Sequence, residues 1–428
     1  MIEKIKYPSQ EMYPDIIQRS VKAERNVSAI VNEIFAAVKQ DGDEALKKYA
    51  LQFDKAQLTE LKVSQQEIDA SERSVDAKLK KAISLAYKNI YTFHKAQLRK
   101  NKKITTVKGV VCWIEARAIE HVGLYIPGGT APLFSTVLML GIPAMIAGCK
   151  NIMLCTPASE DINPAILYSA KLVGIQNIYK IGGIQAIAAL CYGTETIAKA
   201  DKIFGPGNQY VTAAKMKAQQ VGVAIDMPAG PSELLIIADK NAVPSFVAAD
   251  LLSQVEHGPD SQVILISDNE KMIEETLIEL QNQLNVLPRK EFATAALQNS
   301  KAILVNNMSE AIELSNVYAP EHLILAVKHA NKMLPAIVNA GSVFLGNYSS
   351  ESAGDYASGT NHCLPTNGFA RNYSGVSVDS FQKKISFQKI SKKGLQNIGP
   401  AIEQMAAAEG LIAHKNAVRI RLMKLGSD

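Results

Sequence analysis

Along the first hundred or so residues, apolar positions recur at helical spacing on a polar background. Val27, Ile30, Val31, Ile34, Phe35 and Val38 form one such stripe, which Asp41-Gly42-Asp43 ends. Leu79, Ile83, Leu85, Ala86 and Ile90 form a second. Residues 1–106 therefore read as a mostly helical segment, and His94, in a charged helical stretch, reads as a surface residue.

From residue 107 the pattern changes to short apolar runs, Gly-rich turns and helical stretches. The predicted strands are 110–114, 122–126, 152–155, 178–181 and 202–204. A second block of this texture starts near Pro231, with strands at 234–237, 263–266, 302–305, 322–325 and 343–345. Strands alternating with helices imply parallel sheets covered on both faces, an α/β layered class. In such sheets ligands bind where the carboxyl ends of strands meet loops. The two blocks share a local order, which suggests two related domains, 107–230 and 231–375. A tail, 376–428, carries a short β-like run at Val376-Ser377-Val378 and a helical region from Leu395 to Leu425. It must pack on something, and a second subunit is the expectation.

Composition narrows the class. The 428 residues are 47% hydrophobic and 20% charged, as in a globular protein of two or three domains. The basic run Arg99–Lys103 lacks interleaved aromatics, so no nucleic-acid partner is expected. No apolar run reaches the roughly 20 residues of a spanning helix, so no membrane partner is expected either. Five scattered cysteines, without a C-x-x-C pair, point to a reducing compartment, and a cytoplasmic location is expected.

Several stretches could carry chemistry. Gln254 and His257 lie three apart at a helix end closed by Gly258-Pro259, so they share a face. Alone, such a pair is usually a cap or a solvated turn. Glu321 and His322 set an acid beside an imidazole at an element end. The loop Glu351–His362 supplies Asp355 and His362, and the tail supplies Glu409 and His414. Together Gln254, His257, Asp355 and His414 offer nitrogen and oxygen donors suited to Zn²⁺ without any cysteine. Gly-rich loops at 125–130, 181–185 and 205–208 precede helices, whose N-termini suit phosphate. None fits G-x-G-x-x-G, so ordinary turn chemistry explains them equally well. Ser232 sits in a Pro-framed loop, 226–233, where the two blocks join.

In order, the chain carries Tyr125–Thr130 (Tyr-Ile-Pro-Gly-Gly-Thr), Phe204–Asn208 (Phe-Gly-Pro-Gly-Asn), Asp226–Glu233, Gln254–Gly258, Ala319–Leu323, Gly354–His362 and Glu409–His414. These ordered motifs resemble the histidinol dehydrogenase family from about residue 107 to the end. The resemblance implies two incomplete Rossmann-like domains with an intertwined tail in a homodimer. It implies oxidation of L-histidinol to L-histidine by way of L-histidinaldehyde, with two NAD⁺ and one Zn²⁺ per subunit. Position by position, Gln254, His257, Asp355 and His414 match zinc ligands that also face substrate, and Glu321 and His322 match the acid–base pair. Ser232, His322, His362 and Glu409 match substrate contacts, and Tyr125, Gln185 and Asn208 match NAD⁺ contacts. Glu409 and His414 would then serve the partner's site in a shared active site.

Three rival readings follow from the same residues: a cysteine nucleophile at Cys112 or Cys149, a zinc hydrolase without nucleotide, and a non-catalytic binding protein on this scaffold.

Overall fold

The computed structural model describes residues 2–19, 27–99, 101–128, 132–158 and 161–427. Lys100 of the basic run and Gly129-Thr130 of the first Gly-rich loop lie outside the described residues. The chain divides into two compact units, one formed by Met1–Gln97 with Ile119–Phe381, the other by Leu98–Ala118 with Gln382–Asp428.

The larger unit contains two parallel sheets. The first runs Asn177–Lys180, Asn151–Thr156, His121–Tyr125, Lys202–Phe204, Ala224–Ile225. Its strands are near-continuous apolar runs because helices bury both faces. The helix Phe134–Ala147 is apolar all round and buried over most of its length, with Gly148 in the left-handed conformation closing it. The N-terminal helical segment Val27–Tyr49, broken at Gly42 (φ 51°) within the expected Asp41-Gly42-Asp43 stop, contributes Val31, Ile34, Phe35 and Val38 to the core beneath this sheet.

The second sheet runs Glu3–Lys6, Lys301–Leu304, Gln262–Ser267, Glu233–Ala238, His322–Ala326, Ser342–Leu345. In each sheet the first strand of the block lies inside, the next two are added on one side and the last two on the other. This shared order is what related halves require. The edge strand Glu3–Lys6 has no counterpart in the first sheet. It comes from the segment expected to be mostly helical, and pairs in parallel with Lys301–Leu304.

The smaller unit is different in kind. Val110–Ala118, expected to open the first parallel block, pairs antiparallel with Gln382–Ile390 and Ile104–Val107. Its burial is partial along nearly the whole strand, and Glu115 and Arg117 pair on it, so a half-exposed antiparallel sheet suits it better than a buried parallel one. Trp113 stacks on Phe387 at 5.4 Å. Val376–Val378, expected to be β-like, runs instead into a 3₁₀ turn at Val378–Phe381. Helices Lys392–Ala408 and Ile412–Ser427 follow the sheet. The second buries no residue among those described, and Leu411, Ile412, Ile420 and Met423 are exposed.

Candidate active site

Helix Pro244–Val255 places Gln254 in its last turn, fully buried, with His257 just beyond the end. The strand Glu233–Ala238 follows Ser232, whose hydroxyl lies 3.5 Å from His257 Nδ1. His322 opens the neighbouring strand, in register with Leu234 and Ser342. The turn before it is tight, with Ala319 left-handed (φ 53°) ahead of Pro320. The short helix Glu351–Tyr356 carries Glu351 and Asp355 one turn apart. All of these groups gather at the amino ends of the second sheet's strands, where the crossover helix Pro244–Val255 ends. The carboxyl-end rule thus fails for this half of the molecule.

The distances define a dense polar cluster. His322 Nε2 is 3.6 Å from Asp355 Oδ1; its Nδ1 is 3.7 Å from Glu321 Oε2 and 4.0 Å from Glu351 Oε1. Nδ1 donates to the Glu233 carbonyl at 3.3 Å, which leaves Nε2 as the atom free to exchange a proton. Glu321 Oε2 accepts the Glu233 backbone N–H at 2.9 Å. His362 is held at both nitrogens, by the Asp355 carbonyl at 2.9 Å and by Thr136 Oγ1 at 3.0 Å. The structure thus brings Ser232, His257, Glu321, His322, Asp355 and His362 together.

Burial and mutual charge set the protonation of these groups. Burial pushes Glu321 up to about 8 and Glu351 up to about 7, with His322 pulling the other way in each case. Burial opposes charge on His322, yet Glu321, Asp355 and Glu351 outweigh it and push the imidazole up to about 10. Asp355 is the reverse: burial would raise it, but His322, His362 and His257 hold it below the usual carboxylate range. His257 is open to solvent on its outer edge. Desolvation on its crowded side holds it below its ordinary value despite Asp355. Burial also holds His362 low.

One ligand atom each from His257, Glu351 and Asp355 lies within 4.8 Å of the others, the metal-capable group among the described residues. Several buried polar atoms around it have no hydrogen-bond partner: both of Gln254's amide atoms, Glu351 Oε1, Asp355 Oδ1 and His322 Nε2. Orphaned buried polar atoms are uncommon, and Glu351 Oε1 and Asp355 Oδ1 here are oxygen donors that could hold a metal ion with His257. The donor set fits a borderline cation such as Zn²⁺. Glu409 and His414 belong to the smaller unit, and both are exposed there.

The first sheet offers a second site of another kind. Tyr125 ends its inner strand; its hydroxyl accepts the Gly183 N–H at 3.2 Å, and burial pushes the phenol up to about 12. Gly205 has φ 133°, and a Cβ there would overlap the Tyr125 carbonyl oxygen. Its N–H donates to Asp226 at 2.8 Å, and buried Lys215 donates to its carbonyl at 2.8 Å and pairs with Asp226 at 2.5 Å. Gln185 is buried with an unpartnered Nε2. Exposed Asn208 caps the helix Gln209–Gln220, accepting from Tyr210 and Val211 N–H at 3.1 and 3.2 Å. These loops meet at the carboxyl ends of the strands flanking the switch in strand order, a common place for a nucleotide.

Some residues differ from expectation. His94 is fully buried, not on the surface: Nδ1 meets Gln97 Oε1 at 3.3 Å and Nε2 meets Asn361 at 3.4 Å. Its helix also binds the Ala357 carbonyl through Asn89 at 2.8 Å and so steadies the loop that carries Asp355 and His362. Glu351, Glu233 and Arg19 were not anticipated. Glu351 was legible as an acid one helical turn before Asp355, and Glu233 as an acid heading the apolar run Leu234–Ile237. Nothing in its neighbourhood marks Arg19. Of the two cysteines considered as nucleophiles, Cys149 fares poorly, because burial pushes it up to about 12, where no thiolate forms at neutral pH.

The chain is an α/β protein of two parallel sheets, with a buried imidazole–carboxyl pair beside three groups that could hold a metal ion. A family model described as histidinol dehydrogenase matches residues 17–422. The chain is 57% identical over 423 residues to the histidinol dehydrogenase of Bacteroides fragilis, covering 98% of this chain and 99% of that one. It is 55% identical to the Bacteroides thetaiotaomicron enzyme over 427 residues, covering 99% of this chain and all of that one. The crystal structure of histidinol dehydrogenase from Elizabethkingia anophelis superposes with a TM-score of 0.98 at 59% identity, covering 99% of each chain. The chain belongs to the histidinol dehydrogenase family, and is an NAD-dependent oxidoreductase of histidine biosynthesis. Among the described residues no helix is long and apolar enough to cross a membrane.

Proposed function

We propose that this chain oxidises L-histidinol through L-histidinaldehyde to L-histidine at one site, in two successive NAD⁺-dependent steps, with Zn²⁺. The observation that carries this reading is the cluster of His322, Glu321 and the donors His257, Glu351 and Asp355. Gln254, His257, Asp355 and His414 are the proposed zinc ligands, His414 coming from a partner subunit in a cytoplasmic homodimer. The bound zinc would hold and polarise the substrate's nitrogen atoms, and NAD⁺ would accept hydride. Residues 107–230 would serve the nucleotide through Tyr125, Gln185 and Asn208. Residues 231–375 would carry the chemistry, and the tail 376–428 would supply Glu409 and His414 to the partner.

His322 Nε2 takes the alcohol proton as the carbon loses hydride. Glu321 then takes a proton from water as its oxygen bonds to the aldehyde carbon. His322 gives the proton it holds to the former carbonyl oxygen, which completes the hydrate, and then takes a hydroxyl proton back as the second hydride leaves; the carboxylic acid so formed loses its last proton to water and becomes the carboxylate. Glu321, Asp355 and Glu351 together favour a proton on His322. A divalent cation held by His257, Glu351 and Asp355 would offset them, return Nε2 to a proton-accepting state and favour the ionised Glu321 that water addition needs. Ser232 and His362 orient the substrate. The test is NADH release from histidinol and NAD⁺, with and without a chelator. Two NADH per histidinol, abolished by chelation, is the expected result; one NADH, or chelator-insensitive turnover, overturns it.

A further inference from the structure

The peptide group of Glu233 touches both members of the acid–base pair. Its N–H donates to Glu321 at 2.9 Å, and its carbonyl accepts His322 Nδ1 at 3.3 Å. The Glu233 side chain points away from this work and is almost fully buried. Arg19 grips it as a fork: Nε donates to one carboxylate oxygen and Nη2 to the other at 2.9 Å. The Asn367 N–H adds a third donor at 2.8 Å.

Arg19 also reaches the end of the helix Met308–Tyr318, which leads into the strand His322–Ala326. Its Nη2 donates to the Tyr318 carbonyl at 2.8 Å, and its guanidinium lies 4.1 Å from the centre of the Tyr318 ring. Tyr318 is itself anchored, its hydroxyl donating to Gln262 Oε1 at 2.8 Å. Only the left-handed Ala319 and Pro320 separate Tyr318 from Glu321. One guanidinium therefore ties the segment that carries Glu233 to the one that leads into Glu321 and His322. A buried ion pair is a poor stabiliser beside a packed apolar pair, so stability alone does not account for it.

We propose that Arg19 and Glu233 are positioning residues: their ion pair fixes the Glu233 peptide group, which sets where Glu321 and His322 stand. The proposal rests on the acid–base reading above. A misplacement of about 1 Å at a reacting group costs up to about a hundredfold in rate.

The test uses the metal-loaded full chain and the variants Arg19→Gln, Glu233→Gln, both together, and the milder Arg19→Lys, which keeps the charge but loses the fork. The singles are expected to lower kcat about tenfold to a hundredfold while KM for histidinol stays within about twofold. The double variant, which leaves no unpaired buried charge, should recover part of kcat, and Arg19→Lys should fall between. If Arg19→Gln or Glu233→Gln does not fold, Arg19→Lys carries the comparison. Unchanged kcat per metal-loaded site, whether or not the melting temperature falls, overturns the proposal. Glu321→Gln and His322→Asn, measured alongside, separate the two readings. If they keep full rate, the acid–base assignment fails; if they lose rate and the Arg19 and Glu233 variants do not, the brace alone fails.

Discussion

In the first sheet the strand laid down first, His121–Tyr125, lies inside, with its neighbours added to one side and then the other; Glu233–Ala238 holds the same place in the second. The loops of interest nonetheless sit at opposite ends. Tyr125, Gly183 and Gly205 meet at the carboxyl end of the first sheet. Glu233 and His322 are the leading residues of their strands, so the titratable cluster gathers at the amino end of the second. The carboxyl end suits a ligand that wants backbone N–H groups and helix N-termini. The amino end receives the closing turn of the crossover helix Pro244–Val255, and with it Gln254 and His257. A shared strand order thus predicts where strands go, not which edge gathers the titratable groups.

That contrast can be broken experimentally. The largest effect is expected at the amino end: His322→Asn should lower kcat by about 10²–10⁴-fold, read as NADH formation at saturating histidinol. Next, Asp355→Asn should lower metal retention by about tenfold or more on dialysis, read by elemental analysis, with the fold intact by circular dichroism. At the carboxyl end of the first sheet, Gly205→Ala would place a methyl against the Tyr125 carbonyl and should cost on the order of 3 kcal/mol in thermal unfolding.

A smaller effect is expected from pH on the metal-free protein. Below its ordinary value of 4.5 the Glu321 carboxyl is neutral both folded and unfolded, so burial carries no penalty there. Between 4.5 and about 8 the unfolded chain ionises while the folded one does not, so stability should fall as pH rises through this window. Glu321→Gln should flatten that slope; an unchanged melting profile would show that the carboxyl is not held neutral. The smallest expected effect is Asn208→Ala, which removes a helix cap worth about 1 kcal/mol and, on the proposed function, weakens NAD⁺ more than histidinol.

The parallel halves were legible because buried parallel strands read as unbroken apolar runs between helical stretches. Val110–Ala118 misled because its partial burial is a matter of tertiary pairing with Gln382–Ile390, far along the chain. The pairing of Glu321 with His322 was visible as adjacency, but its protonation was not, since that depends on Glu351 and Asp355 brought in from a separate helix. His94 looked polar and therefore exposed; its burial depends on Asn361 and Gln97, which satisfy its ring. Arg19 had no local signal, because its meaning lies in a strand and a helix end more than two hundred residues away.

The strand Glu3–Lys6 has a consequence for synthesis. Its partner, Lys301–Leu304, leaves the ribosome roughly 300 residues later, and an uncatalysed long-range pairing of this kind is slow. The start of the chain must therefore wait unpaired while the first sheet can already form from residues 121–225. Arg19 waits with it. The two halves then mature at different times, and the half that carries Glu321 and His322 is completed only when Glu3–Lys6 docks on Lys301–Leu304.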